Sequence, residues 1–423
     1  MPRTSLAYRA LLRTATVLAP LGGLFDDKLA RTVGLRRGVD DRLAKWGRAS
    51  RDPTRPLAWF HAPSVGEGLQ ARAVLQAFRD RHPDWQVAYT YFSPSAQAFA
   101  AGIEADVADC LPFDTPDAVA QALDALRPSL LVFSKLDVWP ELATRATRRG
   151  IPVALVAATV RPGSGRLGAV ARSLLRPGYA ALAIAGAISP DDAERLARLG
   201  VSADRIRVTG DPRCDSVLAR VAAVHADEPL LALGHGAPTL VAGSTWPIDE
   251  DHLLAAFATV LGRQPDARLI LVPHEPGAEA VERIQHAAER LGAPPAQALG
   301  GVPVAGPLVV VDRLGVLATL YGAGTLAWVG GGFGRAGLHS VLEPAAWGLP
   351  VMFGPNWRES RDAGRLVAAG GAVAAAGAGA IAEQWLAWLE TDVARAAGAR
   401  ALMVVESERG AAAHSAALLD GLL

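Results

Sequence analysis

The chain has 423 residues, which is too long for one compact core and predicts two domains of roughly 200 residues each. It carries 42 basic and 42 acidic residues, and this neutral balance argues against a dedicated nucleic-acid binder. The two cysteines, Cys110 and Cys214, form no CxxC pair, so we expect no disulfide framework, no zinc site and a reducing compartment.

Residues 1–50 are predicted to be a membrane-associating segment. Residues 1–55 contain twelve Lys or Arg against five Asp or Glu, and they include the apolar stretch Leu6–Phe25. Two arginines and Pro20 interrupt that stretch, and its uninterrupted part is shorter than the roughly 20 apolar residues that a bilayer-spanning helix needs. The residues around Phe25 also make a poor signal-peptide cleavage site.

The segment therefore favours an amphipathic helix that lies among lipid headgroups. The alternative is an ordinary amphipathic helix packed on the first domain. The apolar side of the predicted membrane helix consists of Leu6, Leu11, Leu12, Val17, Leu18 and Leu21. The basic residues available to anionic lipid are Arg3, Arg9, Arg13, Arg36, Arg37, Arg42 and Lys45.

From Leu57 onward, short apolar runs alternate with helical stretches, which is typical of a doubly wound parallel sheet. The first such domain is predicted over residues 51–221. Its predicted strands are Leu57–His61, Gln86–Phe92, Val107–Cys110, Ser129–Phe133, Val153–Ala157, Ala181–Ala187 and Ile206–Thr209. The helices between them include Gly68–Arg81, Asp117–Leu126 and Asp191–Leu199.

A linker at residues 222–238 precedes a second domain of the same kind, predicted over residues 239–423. Its predicted strands are Thr239–Ala242, Ala267–Val272, Leu308–Val311, Leu326–Val329 and Val351–Phe353, followed by two helices after Ile381. Two Rossmann-like doubly wound domains that face each other across a cleft form the GT-B architecture. In such α/β sheets, ligands bind at the carboxyl ends of the strands.

The first candidate site directly follows the first strand, in the segment His61–Gly68. It places Glu67 at or near a helix start, where the helix dipole and free N–H groups favour an ionised carboxylate. Such a carboxylate can act as the base that removes a proton from an acceptor hydroxyl in glycosyl transfer. A glutamate in a first helical turn also stabilises the helix without any catalytic role, and the local pattern leaves both interpretations open.

Lys135 and Asp137 follow the strand Ser129–Phe133, at the same predicted sheet edge as Glu67. Both side chains are therefore candidates for the same cleft. Asp137 could equally be a helix N-cap, with Pro140 in the first turn.

Two loops of the second domain have the composition of phosphate sites. Gly243–Trp246 follows a strand, and its hydroxyl and N–H groups suit a phosphate, with Asp249 or Glu250 opening the next helix. The glycines of Gly330–Ser340 allow close backbone approach to a phosphate, and Glu343 suits a ribose diol. The match to GxGxxG lies late in the domain and lacks a strand-ending acid about 20 residues on, so a mononucleotide site is favoured over a dinucleotide site.

Together these motifs resemble the Kdo (3-deoxy-D-manno-octulosonic acid) transferases of lipopolysaccharide synthesis, from Leu57 to about Gly371. The segment Trp59–Glu67 is similar to the family's opening motif, whose glutamate is assigned as catalytic base, and this resemblance gives that role to Glu67. The other similar segments are Tyr89–Ser95, Gly210–Asp215, Gly243–Thr245, Pro273–Pro276 and Gly330–Pro355.

The resemblance implies an inverting transfer of Kdo from CMP-Kdo to a lipid A precursor, without a metal or nucleic-acid partner. It further implies a peripheral or monotopic protein on anionic lipid at the cytoplasmic face of the inner membrane. The residues predicted as catalytic are Glu67 and Asp137. Those predicted to bind substrate or donor are Ser64, Gly66, Lys135, Arg213, Ser244, Thr245, His274, Gly332, Gly334, Gly337, Leu338, His339 and Glu343.

The chain departs from the family pattern at two places. Many members carry two glutamates where this chain has Lys135 and Asp137, and an Arg-His pair where it has His274 and Glu275. The nucleotide-sugar interpretation is unaffected, while the acceptor and the number of Kdo residues stay open. Lys135 is suited either to the donor carboxylate or to a structural salt bridge.

Two other classes of protein remain as alternatives: a GT-B transferase or epimerase that uses a UDP-sugar, and a non-catalytic membrane-bound scaffold.

Overall fold

The structure is a computed structural model that describes residues 3–22, 26–234, 236–300 and 306–423. The chain divides into two units: Met1–Ser216 together with Arg409–Leu423, and Val217–Glu408. The sequence prediction placed the first boundary at residue 221 and assigned the whole carboxyl-terminal tail to the second domain. In the structure, residues 409–423 belong to the first unit instead.

The first unit has seven strands and is built around one parallel sheet. Its strands are β1 Leu57–His61, β2 Gln86–Tyr91, β3 Val107–Cys110, β4 Leu130–Ser134, β5 Val153–Ala158, β6 Ile184–Ala187 and β7 Ile206–Val208. Its helices before the second unit are α1 Leu6–Gly22, α2 Asp27–Arg36, α3 Val39–Ala49, α4 Val65–Arg81, α5 Gln97–Ala101, α6 Pro116–Leu126, α7 Pro140–Arg148, α8 Ala169–Ala180 and α9 Pro190–Leu199. The next helix, α10 Pro212–Ala222, begins in the first unit and ends in the second.

The strand order of this sheet is β3-β2-β1-β4-β5-β6-β7. Strands β1, β2, β4 and β5 are buried along their whole length. A parallel sheet covered by helices on both faces requires continuous apolar runs, which is why the sequence pattern located these strands. The order reverses between β1 and β4, where Ala58 pairs with Leu130 and His61 with Phe133.

The second unit repeats this design. Its strands are β8 Thr239–Thr245, β9 Arg268–Pro273, β10 Gln297–Ala298, β11 Leu308–Val310, β12 Leu326–Val329, β13 Val351–Phe353 and β14 Ala372–Ala374. Its helices are α11 Pro247–Leu261, α12 Ala278–Arg290, α13 Leu317–Leu320, α14 Leu342–Ala346, α15 Arg361–Ala369, α16 Ala378–Ala387 and α17 Thr391–Glu406. The parallel sheet has the order β10-β11-β9-β8-β12-β13-β14 and reverses between β8 and β12.

The predicted fold class, two doubly wound α/β units of the GT-B type, is confirmed. Of the fourteen strands in the described residues, twelve were predicted, and β10 and β14 were missed. The two helices predicted after Ile381 are present as α17 and a final helix, α18 Ala411–Asp420.

Helix α18 packs on α4 in the first unit. Its Ala416 and Leu419 are fully buried in the core of that unit. At its start, Asp215 accepts hydrogen bonds from the amides of Gly410 at 2.6 Å and Ala412 at 2.7 Å. At its end, Asp420 pairs with His82 at 2.7 Å. The last helix of the chain is therefore an integral part of the unit that contains β1 and β4.

The amino-terminal helix α1 leaves much of its apolar surface uncovered. Leu6, Leu11, Val17 and Leu18 are exposed, whereas Tyr8 is buried against the first unit. Leu12 is half-buried, and the side chain of Leu21, like residues 23–25, lies outside the described part of the chain. Among the described residues, no helix is long and apolar enough to cross a bilayer.

Candidate functional site

The loops predicted to carry chemistry lie where the strand order of each sheet reverses. In the first unit, the loop after β1 leads to Glu67 and the loop after β4 contains Lys135 and Asp137. In the second unit, Trp246 follows β8 and the glycine-rich loop follows β12. The carboxyl ends of strands at such a reversal are the usual ligand-binding position in open α/β sheets.

Glu67 is held by two donors at the start of α4. The ammonium of Lys135 donates to its Oε1 at 2.7 Å, and the hydroxyl of Ser64 donates to its Oε2. Burial raises the pKa of Glu67, but the hydrogen bonds from Lys135 and Ser64 outweigh burial, so the pKa lies below its ordinary value. The structure thus brings the predicted residues Ser64, Glu67 and Lys135 together around one ionised carboxylate.

Lys135 reaches Glu67 from an unusual backbone conformation. Its φ of 61° lies in the left-handed region, which costs a non-glycine residue on the order of 1–3 kcal/mol. The amide of Lys135 donates to the carbonyl of Val156 at 2.9 Å, which fixes this turn at the end of β4. The surrounding sheet therefore imposes the direction in which the lysine side chain leaves the strand.

Asp137 is the centre of a second cluster in the same loop. It accepts hydrogen bonds from Trp139 Nε1 at 2.9 Å, His61 Nε2 at 3.1 Å and Arg166 at 3.4 Å. Burial raises the pKa of Asp137, but the hydrogen bonds from His61 and Trp139 and the charge of Arg166 outweigh it and leave the pKa lowered. The N-cap interpretation of Asp137 is wrong, because α7 begins at Pro140 with Trp139 in the capping position.

His61 begins the first candidate segment, but sequence reasoning gave it no role in the site. It is fully buried at the end of β1, with Nδ1 3.0 Å from the hydroxyl of Thr90. The Asp137 carboxylate only accepts, so Nε2 of His61 carries the proton and, in the neutral imidazole, Nδ1 accepts from the hydroxyl of Thr90. The feature of the sequence that could have identified His61 is its position as a polar residue at the end of an otherwise apolar strand.

Ser244 and Thr245 close β8 in the second unit. Ser244 has a φ of 53°, again in the left-handed region. The hydroxyl of Thr245 donates to the buried Glu250 at 3.0 Å, and Glu250 also pairs with Arg283. This hydroxyl therefore anchors α11, so any contribution of Thr245 to phosphate binding would come from its backbone.

Three aromatic rings lie against one another beside this turn. The ring centroid of His274 is 4.6 Å from those of both Trp246 and His339, whose own centroids are 6.5 Å apart. Trp246 Nε1 donates to His339 Nε2 at 3.2 Å. Burial, and then the neighbouring His274, lower the pKa of His339. The predicted residues His274 and His339 are thus neighbours, although 65 residues of sequence separate them.

The glycine-rich loop is tied to the start of α11 through Asp249. The Oδ2 of Asp249 accepts from the amides of Gly331 at 3.0 Å and Trp246 at 2.9 Å. A Cβ on Gly332 would lie 2.6 Å from the amide nitrogen of Gly354, so this glycine is needed for packing. Gly337 has a φ of 85° and open space beside it, which leaves room for a ligand.

Gly334 also faces open space, with only the amide nitrogen of Ala336 near the Cβ position, and Leu338 is half-buried in the same loop. Gly66, in the first unit, likewise has only the Ser64 hydroxyl within 4 Å of a Cβ. The helix after the glycine-rich loop, Leu342–Ala346, has five residues, so its dipole is smaller than that of a full helix.

Besides Lys135, two predicted donor-binding residues are engaged in ion pairs. Glu343 pairs with Arg220 at 2.9 Å, within the second unit. Arg213 forms a two-pronged contact with the fully buried Asp211 at the start of α10, with a shortest distance of 2.6 Å. Arg220 was not identified from the sequence, since no local motif marks it. Across the described ranges, no group of three or more His, Cys, Asp or Glu side chains is arranged to hold a metal ion.

Comparison with known proteins identifies sequence relatives along most of the chain. Residues 37–216 match the family described as 3-deoxy-D-manno-octulosonic-acid transferase (kdotransferase). A 3-deoxy-D-manno-octulosonic acid transferase of Bordetella pertussis is 30% identical over 423 residues, covering 95% of this chain and 94% of the relative. The corresponding transferase of Haemophilus influenzae is 24% identical over 331 residues, covering 76% and 75% of the two chains.

Solved structures resemble the fold at much lower sequence identity. UDP-GlcNAc 2-epimerase from Neisseria meningitidis, bound to UDP-GlcNAc, superposes with a TM-score of 0.60 at 12% identity. The match covers 87% of this chain and 99% of the epimerase. At this identity the likeness establishes the shared two-unit fold and leaves the chemistry to be argued from the residues.

Proposed function

Because this chain belongs to the family of 3-deoxy-D-manno-octulosonic acid (Kdo) transferases, we propose that it transfers Kdo from CMP-Kdo to a lipid A precursor with Glu67 as general base. The chain is a glycosyltransferase of lipopolysaccharide synthesis. The observation that supports the base is the ion pair of Glu67 with Lys135, which keeps a partly buried carboxylate ionised. An ionised carboxylate at the ligand-binding edge of the sheet is the form that accepts a proton.

In the proposed reaction, Glu67 removes the proton of the acceptor hydroxyl as its oxygen attacks the anomeric carbon of Kdo. The bond between that carbon and the phosphate oxygen of CMP breaks, and CMP leaves with the bonding electrons. Attack from the face opposite CMP inverts the anomeric configuration. We propose that the transfer needs no metal.

Asp137 has a proposed supporting role in the same loop. Its carboxylate orients His61 and Trp139, and it lies 3.4 Å from the half-exposed Arg166. Arg166 and Lys135 are both cations with solvent access at this edge. They suit the carboxylate of an ulosonic acid, and donation to it by Lys135 would release Glu67 for proton transfer.

For the second unit we propose binding of the CMP part of the donor. The open sides of Gly334 and Gly337 give backbone access for the phosphate, and the carboxylate of Glu343 suits the ribose diol. The neighbouring rings of His274 and His339 add polar and stacking groups beside the glycine-rich loop.

The proposed location is the cytoplasmic face of the inner membrane, with peripheral attachment through α1. The exposed Leu6, Leu11, Val17 and Leu18 form an apolar surface, and the excess of basic residues through residue 55 suits anionic lipid. A lipid acceptor is consistent with an enzyme held at that surface.

The test is to incubate the protein with CMP-Kdo and a lipid A precursor and to measure the mass of the lipid. A mass gain of one or more Kdo residues is expected, and it also gives the number transferred. CMP should compete with the donor, whereas UDP should not. An unchanged lipid mass, combined with competition by UDP, would favour a UDP-sugar enzyme instead.

A further inference from the structure

We infer that α1 and α2 position the catalytic loop Lys135–Trp139 and are not only a membrane anchor. The inference rests on the proposed function, because it gives the amino-terminal segment a part in turnover at the Glu67 site. Two separate sets of contacts within the first unit support it. One joins α1 to the start of α7, directly after the loop, and the other joins α2 to Trp139 within the loop.

The first set centres on Asp114, a carboxylate that is 2% exposed. Its Oδ2 accepts from the amide of Glu141 and its Oδ1 from the amide of Leu142, both at 2.8 Å. Asp114 thereby caps α7 from another segment of the chain. The hydroxyl of Tyr8 on α1 donates to the same Oδ2 at 2.8 Å. The amino-terminal helix is thus bonded to the group that fixes the end of the catalytic loop.

A second buried carboxylate, Glu141, strengthens this connection. Its side chain is fully buried, and Arg9 of α1 donates to both oxygens, at 2.9 and 3.1 Å. The hydroxyl of Thr4 donates to it as well, and Arg145 pairs with it from one turn along α7. A buried charge that loses its partners is strongly destabilising, so α7 in this position depends on α1.

The other set of contacts begins at Arg36, the last residue of α2, which is buried. Its guanidinium lies 3.9 Å from the ring centroid of Phe92 and donates to the carbonyl of Phe92 at 3.2 Å. Phe92 stacks on Trp139 with a centroid distance of 5.2 Å. Trp139 donates to Asp137 at 2.9 Å. A continuous series of contacts therefore runs from α2 to the predicted catalytic aspartate.

Two sets of contacts from the amino-terminal segment consequently hold the carboxyl end of the catalytic loop. Tyr8, Arg9 and Arg36 are positioning residues, since they act through Asp114, Glu141 and Trp139. Weakening either set of contacts should lower turnover even where no membrane is present. Misplacement of a catalytic group by about 1 Å can reduce a rate by roughly 100-fold, so partial release of the loop should be measurable.

The experiment uses the full chain and a deacylated, water-soluble acceptor in buffer without lipid. The Tyr8→Phe variant removes one hydroxyl and keeps the ring, and we expect kcat to fall about 10-fold with KM for CMP-Kdo unchanged. Hydrogen exchange, followed by mass spectrometry of the peptide that contains Glu141 and Leu142, should become faster. Arg9→Ala should have the same effects to a larger extent.

Two matched control variants lie in the same amino-terminal segment but outside the contacts that lead to the catalytic loop. Leu11→Ala removes exposed apolar surface from α1, and Lys45→Ala removes an exposed cation from α3. Both should retain wild-type kcat on the soluble acceptor.

Wild-type kcat in Tyr8→Phe would overturn the inference, whether or not its hydrogen exchange changes. Equal losses in the Leu11→Ala and Lys45→Ala controls would overturn it too. Absence of Kdo transfer by the wild-type protein would count against the proposed function instead, and the hydrogen-exchange comparison would still decide whether α1 holds the loop.

Discussion

The exposed leucines of α1 allow the strength of lipid binding to be estimated. Leu6 is 82% exposed and Leu11 is 56% exposed. Truncation of a fully transferred leucine to alanine removes about 2 kcal/mol of transfer free energy. When this value is scaled by the two exposed fractions, the double variant Leu6→Ala/Leu11→Ala should lose about 3 kcal/mol of the free energy of transfer to the membrane. This loss lowers the membrane partition coefficient roughly 100-fold.

Co-sedimentation with anionic liposomes at low salt measures this partition. The matched control is Leu314→Ala, since Leu314 is 79% exposed but lies in the second unit, outside the proposed anchor. The control should bind liposomes like the wild-type protein. High salt should release the wild-type protein only in part, because screening weakens the attraction of basic residues to lipid but not the burial of leucines.

Two results would refute this reasoning. One is a full-length protein that stays in solution with anionic liposomes at low salt, which would leave α1 as a helix packed on the first unit. The other is an equal loss of binding in the double variant and in Leu314→Ala, which would show that α1 has no special contact with lipid.

Three further predictions concern the site residues. Glu67→Gln keeps the shape of the side chain and removes its basicity, so kcat should drop roughly 10²–10⁴-fold with CMP binding intact, and near-normal turnover would exclude Glu67 as the base. Lys135→Met removes a donor that lowers the pKa of Glu67 while burial continues to raise it. Because the base must be ionised, the acid limb of the pH profile of kcat/KM should move to higher pH, and an unmoved limb would contradict the role of Lys135. Glu343→Ala should weaken CMP binding by about 1.5–3 kcal/mol in calorimetry, whereas the exposed Glu383→Ala should not, and equal affinities would argue against ribose binding by Glu343.

The strands were predictable because parallel strands covered on both faces are continuous apolar runs. Leu57–His61, for example, is buried at every position and was predicted with its observed bounds. Gln297–Ala298 has two residues, and Ala372–Ala374 is short and alanine-rich, so neither differs from a loop in sequence. The packing of α18 on the first unit was not predictable, because the sequence of an alanine-rich helix does not indicate which of two sheets the helix covers.

The site was predictable where a residue's role follows from its neighbours in sequence. Glu67 lies in the first turn of α4, as its motif predicted. The pairing of His61 with Asp137 depends on the adjacency of β1 and β4, which are 76 residues apart at this contact. The contact of Arg220 with Glu343 likewise depends on tertiary approach. Local sequence therefore identified candidate side chains but not the partners that set their charge and direction.

The return of α18 to the first unit has a consequence for synthesis on the ribosome. Residues 409–423 cover α4, the helix that carries Glu67, but they are made only after the entire second unit, residues 217–408. At about 5–20 residues per second, that interval lasts on the order of 10–40 s. Throughout it, the surface of α4 that later contacts Ala416 and Leu419 lacks its cover. The sheet of the second unit can thus form on the ribosome before the last helix of the first unit is made, although the first unit emerges earlier.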